Sequence, residues 1–373
     1  MESLELFEKV RAAGGRVVMA TLINTQGPTP RKAGARMFVG EGGRIFGSVT
    51  IGGCVDARII EEAEAMMAGR PPKRLKMALG DEDAGELGLT CGGEVDALIE
   101  LLDFSGPADP LIRLHELARK ETASGRPAAL ATLVSGWDDE PVSFRKRMLI
   151  DERGGTEGVL VEPLHQAVVR DALRLMTSGR SQTVSYEGEA GSVAEVFIEL
   201  FSPPFPLIIF GGSHVATALV SFAKGLGLRT VVVDGRPRYA NRERFPEADE
   251  VIVGIPSEVA GRLAFDARTS IVLLTHDYKY EVPVLKRALT TEVGYIGMLG
   301  SRRRGRAILD LLHEQGIEES QLQRVRVPVG LDIGAQTAPE IALSILAEIL
   351  ALQNGKLGGK LSEAYRPPAG AVK

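Results

Sequence analysis

The sequence predicts an α/β protein with a C-terminal Rossmann-like parallel sheet and an N-terminal α+β domain built from an imperfect internal repeat. From about residue 206 onward, short continuous apolar runs alternate with helical patterns, as strands buried on both faces require. The first 200 residues, by contrast, match themselves in order. The predicted boundaries are 1–104 (copy 1) and 105–203 (copy 2) for the repeat, 204–353 for the parallel-sheet domain, and 354–373 for a flexible Gly- and Pro-rich tail.

The parallel-sheet domain begins with the pattern of a dinucleotide site. An apolar strand at 207–210 precedes a glycine turn at 211–216, and a second strand at 230–233 ends at Asp234. In such a site the turn places the N–H groups of the next helix against a pyrophosphate, and the acid holds a ribose hydroxyl. Ser213 stands where the middle glycine of the fingerprint belongs, so nucleotide binding in this turn stays open.

Further strand and helix units support this fold. Strands are predicted at 250–253, 271–274 and 295–299. The last helix begins at a capping box, in which Glu340 follows the N-cap Thr337 by three residues. This repetition, rather than the glycine motif alone, predicts the Rossmann-like sheet.

Ligands in open α/β sheets bind beyond the carboxyl ends of the strands. The candidate cofactor-binding residues at that edge are Gly211, Gly212, Ser213, His214, Asp234, Arg236, His276, Asp277, Ser301 and Arg302. Histidine and arginine together at one edge suit a phosphorylated, anionic ligand. The alternative is that the arginines around Arg302 begin a solvated helix and that the two histidines are ordinary turn residues.

The N-terminal half contains the repeat. Each copy shows the pattern strand, loop, strand, helix, strand, strand, and a helix near 111–122 connects the copies. The matched segments are 19–23 with 130–134, 36–39 with 147–150, 67–70 with 177–180, and 95–101 with 194–200. The two copies are therefore expected to pack as one pseudo-symmetric body.

The two cysteines occur in copy 1 alone. Cys54 and Cys91 are flanked by glycine pairs, which let a ligand approach the backbone closely. Cys54 is predicted to begin a helix over 55–68, whose dipole favours the thiolate. A thiolate can bind molybdenum, copper or zinc as a soft ligand, or can carry sulfur as a persulfide. Two thiols without a nearby His do not make a closed structural zinc site. The alternative is a pair of inert, buried cysteines.

Composition excludes several classes of function. The net charge of −5 and the pI near 5.7 give no electrostatic reason to bind nucleic acid or an anionic membrane. No apolar run has the length of a membrane span, and the acidic start of the sequence does not resemble a signal peptide. With only two cysteines, a disulfide framework is not expected, which favours the reducing cytoplasm.

Taken together, these motifs resemble the XdhC/CoxI family of maturation factors for xanthine and carbon monoxide dehydrogenases. The segments that carry the resemblance are 29–37, 52–56 and 87–93 in copy 1, and 211–216, 295–303 and 330–335 in the C-terminal half. The resemblance implies binding of the molybdenum cofactor, as molybdopterin or its dinucleotide form. It also implies sulfur loading with help from a cysteine desulfurase, and insertion into a molybdenum hydroxylase client.

The same resemblance implies a site in copy 1. Its candidate cofactor-binding residues are Arg31, Arg36, Gly53, Cys54, Cys91 and Gly92, with the two thiols as metal ligands and the arginines near the pterin phosphate. Because the dinucleotide form carries a pyrophosphate, we expect the Rossmann-like edge to hold the nucleotide end and the thiol face to meet the metal end.

Three functions remain open at this point. The first is a cofactor chaperone with little or no chemistry of its own. The second is an NAD(P)-dependent oxidoreductase that uses the glycine turn and Asp234. The third is a structural adaptor with inert cysteines. A homodimer is compatible with the sequence, which determines neither the oligomeric state nor the client.

Overall fold

In the computed structural model, the described residues are 2–27, 29, 31–50, 54–78, 93–105, 109–136, 146–188 and 192–364. The chain divides into two compact units, residues 1–203 and 204–373. Residues 365–373 of the predicted flexible tail lie outside the described residues, and the tail stays a prediction.

Copy 1 forms a five-stranded antiparallel sheet of order β3-β2-β1-β5-β4. Its elements are α1 (Glu2–Ala13), β1 (Arg16–Gln26), β2 (Arg36–Gly40), β3 (Ile45–Gly47), α2 (Cys54–Met67), β4 (Lys73–Ala78) and β5 (Glu94–Asp103). The predicted helix over 55–68 is confirmed, one residue earlier than expected.

Copy 2 repeats this arrangement in the strand order β8-β7-β6-β10-β9. Its elements are the connecting helix α3 (Pro110–Ala123), β6 (Ala128–Ser135), β7 (Arg147–Asp151), β8 (Thr156–Val159), α4 (Glu162–Ser178), β9 (Gln182–Glu187) and β10 (Val193–Phe201). Since the two sheets have the same strand order, with the helix at the same point of the chain, the predicted internal repeat is confirmed. The predicted pattern of four strands in each copy was incomplete, because β3 and β8 add a fifth strand before the helix.

The two sheets of this unit share a core. Buried side chains from both sheets pack together with α1 and α3, among them Phe7, Phe38 and Phe201. The opposite face of the first sheet packs on α2, and that of the second on α4. Fully burying one large apolar side chain contributes about 1.5–3 kcal/mol, so this shared core holds the two copies together.

The second unit is a six-stranded parallel sheet of order β13-β12-β11-β14-β15-β16. Its elements are β11 (Pro206–Phe210), α5 (His214–Gly225), β12 (Arg229–Asp234), β13 (Glu250–Val253), α6 (Pro256–Arg262), β14 (Ser270–Leu273), α7 (Tyr278–Leu289), β15 (Tyr295–Met298), α8 (Arg302–Glu314), α9 (Glu319–Leu322), β16 (Val325–Arg326), α10 (Ala338–Gln353) and α11 (Leu361–Ala364). This is the doubly wound Rossmann order, and the predicted fold class is confirmed.

The order of the parallel strands reverses between β11 and β14, which makes the carboxyl ends of these strands the expected ligand position. The capping box is confirmed, since the Thr337 hydroxyl and the Glu340 carboxylate each bond the other residue's backbone N–H. Strand β16 escaped prediction because two residues are too short for a detectable pattern. None of the helices in the described part of the chain combines the length and the apolarity that a membrane span requires.

Candidate functional site

Asp234, the predicted ribose acid, is fully engaged inside the protein. Its Oδ2 accepts from Gly212 N and Arg236 Nη2, both at 2.8 Å, and its Oδ1 accepts from Arg236 N and Nε, both at 2.9 Å. Burial opposes ionisation, but these bonds outweigh it and hold the pKa of Asp234 below its usual range. Four hydrogen bonds fill the lone-pair sites of a carboxylate. A ribose diol would therefore have to displace Arg236.

The glycines of the turn are explained by close packing within the unit. Gly211 has a φ of +115°, and a Cβ there would lie 2.8 Å from the carbonyl carbon of Leu274. A Cβ on Gly212 would collide with the carbonyl oxygen of Tyr239. A bulky substitution at Gly211 therefore distorts the turn whether or not a nucleotide binds there.

Three other predicted ligand residues are helix N-caps. The Ser213 hydroxyl accepts from Ala216 N at 3.3 Å and caps α5. Asp277 accepts from Lys279 N at 3.0 Å, and Ser301 accepts from Arg304 N at 3.2 Å. Such caps stabilise a helix by about 0.5–2 kcal/mol. Each side chain therefore has a structural role at the edge where a ligand was predicted.

The groups that remain at this edge are mainly cationic. The side chain of Arg236 is 62% exposed and stacks on Tyr239, with the guanidinium carbon 3.8 Å from the ring centroid. Arg244 approaches the same ring at 5.0 Å and donates to Gly212 O. The predicted residues His214, His276 and Arg302 are exposed. The edge can attract an anion, but its Asp234 is not free to bind a ribose, as the acid of a nicotinamide dinucleotide site must be.

The arginine run after β15 is not uniformly solvated. Arg304 bonds both carboxylate oxygens of Glu281, which is fully buried in the first turn of α7. Thr275 donates to the same carboxylate at 3.2 Å. This pair ties the start of α8 to the start of α7, so the interpretation of a solvated helix is wrong for Arg304.

In copy 1, the backbone of Cys54 begins α2. Gly53, Cys91 and Gly92 lie outside the described residues, as does the Cys54 side chain. In the first turn of α2, Asp56 accepts from Ser48 Oγ at 2.5 Å and from Thr50 Oγ1 at 3.1 Å. The carboxylate of Asp56 offsets the positive end of the helix dipole, which favours a thiolate at Cys54. The prediction of a thiolate from the sequence took only the dipole into account.

A cleft of about 410 Å³ in the first unit brings Arg31 and Arg36 together. We call it the copy 1 cleft. Its lining residues are Ser3, Leu6, Arg31, Lys32, Ala33, Gly34, Ala35, Arg36, Ser181, Glu199 and Leu200. One short segment thus supplies three cations, while copy 2 supplies Ser181 and Glu199.

Arg36 is buried and paired, which corrects its predicted role as a free phosphate ligand. Its side chain is 2% exposed, and Nη2 donates to Glu199 Oε2 at 2.5 Å. Within the described residues, Arg36 Nε, Arg36 Nη1 and Glu199 Oε1 are buried without a hydrogen-bond partner. Burial raises the pKa of Glu199 although the charge of Arg36 opposes this shift. The pair is therefore only partly satisfied.

The counterpart pair in the repeat is better satisfied. Arg147, which matches Arg36, donates to both oxygens of Glu100, at 2.8 and 2.6 Å. Its Nε also donates to Thr132 Oγ1 at 3.4 Å. Each arginine therefore pairs with the glutamate of the other copy. We refer to Arg36–Glu199 and Arg147–Glu100 as the exchanged pairs.

His115 on α3 lies close to both exchanged pairs. Its ring stacks on Phe7 at 4.3 Å and meets Phe201 edge-on at 5.7 Å. Nδ1 lies 2.8 Å from Leu111 O, and Nε2 is buried without a partner among the described residues. Burial, reinforced by the charges of Arg36 and Arg147, holds the pKa of His115 well below its usual range. The imidazole is neutral at pH 7.

Glu199 and His115 were not predicted from the sequence as members of this cluster. A signal for Glu199 was present, because Glu100 and Glu199 occupy matched positions, each flanked by apolar residues inside its strand. His115 had no comparable signal, since a single His on a helix is usually structural. Among the described residues, no three His, Cys, Asp or Glu side chains are placed to hold a metal ion. The predicted thiol ligands fall outside that search.

Comparisons with known proteins cover nearly the whole chain. The sequence profile described as the XdhC and CoxI family matches residues 10–77 and 122–187. The profile described as the XdhC Rossmann domain matches residues 207–349. The two matches follow the order of the two structural units.

Individual relatives agree with these profiles. The chain is 27% identical to a protein from Bacillus subtilis described as a probable subunit of xanthine dehydrogenase, over 89% of this chain and 92% of that protein. It is 28% identical to the molybdenum cofactor insertion chaperone PaoD from Escherichia coli, over 91% and 85%. A crystal structure described as that of a xanthine dehydrogenase from Bacillus halodurans is similar with a TM-score of 0.73, at 26% identity over 98% of both chains.

Proposed function

The chain belongs to the XdhC and CoxI family, and on that basis we propose that it binds the molybdenum cofactor as cargo and inserts it into a molybdenum hydroxylase client. The structural observation that carries this proposal is the copy 1 cleft, with three cations in one short segment. The similarity to PaoD along most of both chains supports the same function.

The residues of the copy 1 cleft fit such a cargo. The cofactor combines a pterin ring system with a terminal phosphate, and Lys and Arg are the side chains that bind phosphate most strongly. Arg31 and Lys32 are less buried than Arg36, and we assign the phosphate to them. The volume of about 410 Å³ lies within the range of about 300–1,000 Å³ typical of small-molecule sites.

We assign the metal end of the cargo to Cys54 and Cys91. A thiolate is a soft ligand that suits molybdenum and can carry sulfur as a persulfide. In this proposal a cysteine desulfurase supplies the sulfur, and the chain holds and transfers the cofactor rather than transforming a substrate. The start of α2 at Cys54 supports the assignment through the helix dipole, which favours a thiolate there, although Asp56 in the same turn offsets part of this effect.

Considered by itself, the Rossmann-like unit offers an edge that suits the pyrophosphate of the dinucleotide form. Arg236 and Arg302 give its edge the cations that a pyrophosphate needs, and the exposed imidazoles of His214 and His276 can offer ring N–H groups to the same ligand. An NAD(P)-dependent oxidoreductase is less well supported, because Asp234 has no lone pair free for a ribose hydroxyl.

Cargo binding can be tested on protein purified from cells that make the cofactor, with the pterin measured as its fluorescent oxidation product. We expect the purified protein to retain pterin, and Arg31→Gln or Lys32→Gln to weaken retention by about tenfold or more, as for the loss of one charge-assisted hydrogen bond. Arg58→Gln is the matched control, since Arg58 is an exposed cation on α2.

Two further variants test the thiols. Cys54→Ser and Cys91→Ser are expected to lower the sulfurated fraction of the bound cofactor and the activity of the client matured with it. Protein that carries no pterin but binds NADPH tightly would contradict the cargo function. Full maturation of the client by the double Cys→Ser variant would show that the cysteines have no role in the cargo function.

A further inference from the structure

We propose that the Arg36–Glu199 pair recognises the lactam edge of the cargo's pterin ring, so that copy 2 supplies part of the binding site through Glu199. This inference rests on the proposed function and adds to it a specificity-determining residue. It separates two tasks within the copy 1 cleft, since Arg31 and Lys32 take the phosphate and the buried pair takes the ring.

First, the Arg36–Glu199 pair has hydrogen-bonding capacity that the protein does not satisfy within its described residues. Arg36 and Glu199 both line the copy 1 cleft. Two guanidinium nitrogens and one carboxylate oxygen have no partner within the described residues. Unpaired buried groups are costly and rare, so each one calls for an explanation such as strain, a catalytic role or a bound partner. The pair therefore offers donors and an acceptor side by side.

The second argument is the contrast with the counterpart pair. Arg147 and Glu100 make two mutual hydrogen bonds and a third contact with Thr132, on the same scaffold and at matched positions. The repeat can thus satisfy such a pair without a ligand. The deficit at Arg36 and Glu199 is local, and it coincides with the copy 1 cleft.

The third argument is chemical complementarity. A ligand that satisfies both residues must present an acceptor to Arg36 and an N–H donor to Glu199. The pyrimidinone ring of a pterin does so, with a carbonyl oxygen beside a ring N–H and an exocyclic amino group. A phosphate offers acceptors only, and its charge would repel the Glu199 carboxylate. Guanine shares the pterin edge and is the other source of this chemistry.

Access to the pair requires a local movement. The unpaired atoms have almost no contact with solvent, although their residues line the copy 1 cleft. The segment before Arg36 turns at Gly34, where φ is +94°, and Ala35 N donates to Lys32 O at 3.1 Å. Gly34 N donates to Leu22 O at 2.7 Å and Leu22 N donates to Ala35 O at 2.9 Å, which holds this turn on β1. The movement that exposes the pair is therefore one of side chains rather than of the turn.

The test is a fluorescence titration of the full chain with pterin-6-carboxylate and with lumazine-6-carboxylate. Lumazine carries a carbonyl in place of the exocyclic amino group, and so turns an acceptor toward Glu199. We expect the wild type to prefer the pterin by about tenfold or more, the effect of one hydrogen bond to a charged group. Glu199→Gln should reduce this preference to less than about threefold.

Glu100→Gln is the matched control, because it makes the same change in the counterpart pair, and it should leave the preference intact. Arg36→Lys keeps the positive charge but loses the guanidinium fork, and should weaken pterin binding. Circular dichroism shows whether each variant is folded, and Glu199→Gln has nearly the shape of the native residue.

Three outcomes would overturn the inference. One is equal binding of pterin and lumazine by the wild type, and another is an equal effect of Glu100→Gln and Glu199→Gln. The third is displacement of the pterin by guanosine monophosphate at lower concentration, which assigns the edge to a nucleotide. If the protein from cofactor-producing cells retains pterin in any of these cases, the cargo function stands. If it retains none and binds no pterin probe, both proposals fail.

Discussion

The two copies of the repeat share a scaffold and differ in how completely they satisfy the same buried charges. In copy 2, Arg147 begins β7 and makes two bonds to Glu100 and one contact with Thr132. In copy 1, Arg36 begins β2 and makes one bond to Glu199, beside an open cleft. The Arg147–Glu100 pair is therefore the more completely bonded of the two, whereas Arg36 and Glu199 keep bonding capacity that has no partner among the described residues.

This contrast also explains which parts of the repeat diverged. Both copies need the apolar positions and the exchanged pairs, because each copy supplies the glutamate that pairs with the buried arginine of the other copy. The cationic segment with Arg31 and Lys32, and the cysteines, serve only one copy. The two copies therefore differ mainly outside the shared core.

The largest expected effect is on stability, and it separates the two exchanged pairs. Arg147→Met leaves Glu100 buried without its cation, which should lower the free energy of unfolding by about 3–5 kcal/mol. Arg36→Met should lower it by about 1–3 kcal/mol, because the pair makes fewer bonds and Glu199 can take up a proton. Urea denaturation followed by circular dichroism measures both. Equal decreases in the free energy of unfolding for the two variants would show that the two pairs stabilise the fold to the same extent.

The second effect is a pH dependence that arises where the two pairs meet. The pKa of His115 in the folded protein lies below its ordinary value of 6.5, so protonation favours the unfolded chain. Stability should therefore fall as pH falls below about 6.5, by up to about 1.4 kcal/mol per pH unit. Unfolding free energies between about pH 5 and 8 measure this slope.

Two variants isolate the histidine. His115→Phe should flatten the slope, whereas His313→Gln, at an exposed His on α8, should leave it unchanged. Glu199 acts with the opposite sign, because its raised pKa adds stability that is complete below the ordinary value of 4.5 and is lost as pH rises through the folded pKa. A steeper pH dependence of the unfolding free energy in Glu199→Gln would agree with the assignment of Glu199. An unchanged pH dependence in His115→Phe would contradict the assignment of His115.

The smallest effect concerns the threonine beside each arginine. Thr132→Val removes the contact to Arg147 Nε and should cost about 0.5–1 kcal/mol, since the bond of 3.4 Å is long. Thr21 occupies the matched place opposite Arg36 in the first sheet, where Arg36 Nε has no partner in the described part of the chain. Thr21→Val should therefore be neutral or stabilising in the same denaturation assay. A cost equal to that of Thr132→Val would show an interaction at Arg36 that the structure does not contain.

Much of the fold was predictable because it rests on local spacing. Apolar runs predicted five of the parallel strands, and the pairing of Thr337 with Glu340 predicted the start of α10. The repeat was predictable for the same reason, since both copies keep the apolar positions of one sheet. Strand β16 was missed because its pairing with β15 is a property of the sheet and not of its two residues.

The candidate site was less predictable, as Asp234 and Arg304 show. Spacing placed Asp234 after the second parallel strand, but it could not show that Arg236 and Gly212 take all its bonding capacity. Arg304 resembled a solvated residue until the fold brought it to Glu281, 23 positions earlier in the chain. In both cases the partner of a charge decides its role.

The architecture can be predicted from the sequence, because burial of apolar surface depends on the order and period of residues along the chain. The matched positions of Arg36 with Arg147 and of Glu100 with Glu199 are also visible in the sequence. The folded chain was needed to show that each arginine pairs across the copies and that one pair is left incomplete beside a cleft. The physical reason is that a buried charge is defined by its partners, and these lie 47 and 163 positions away along the chain.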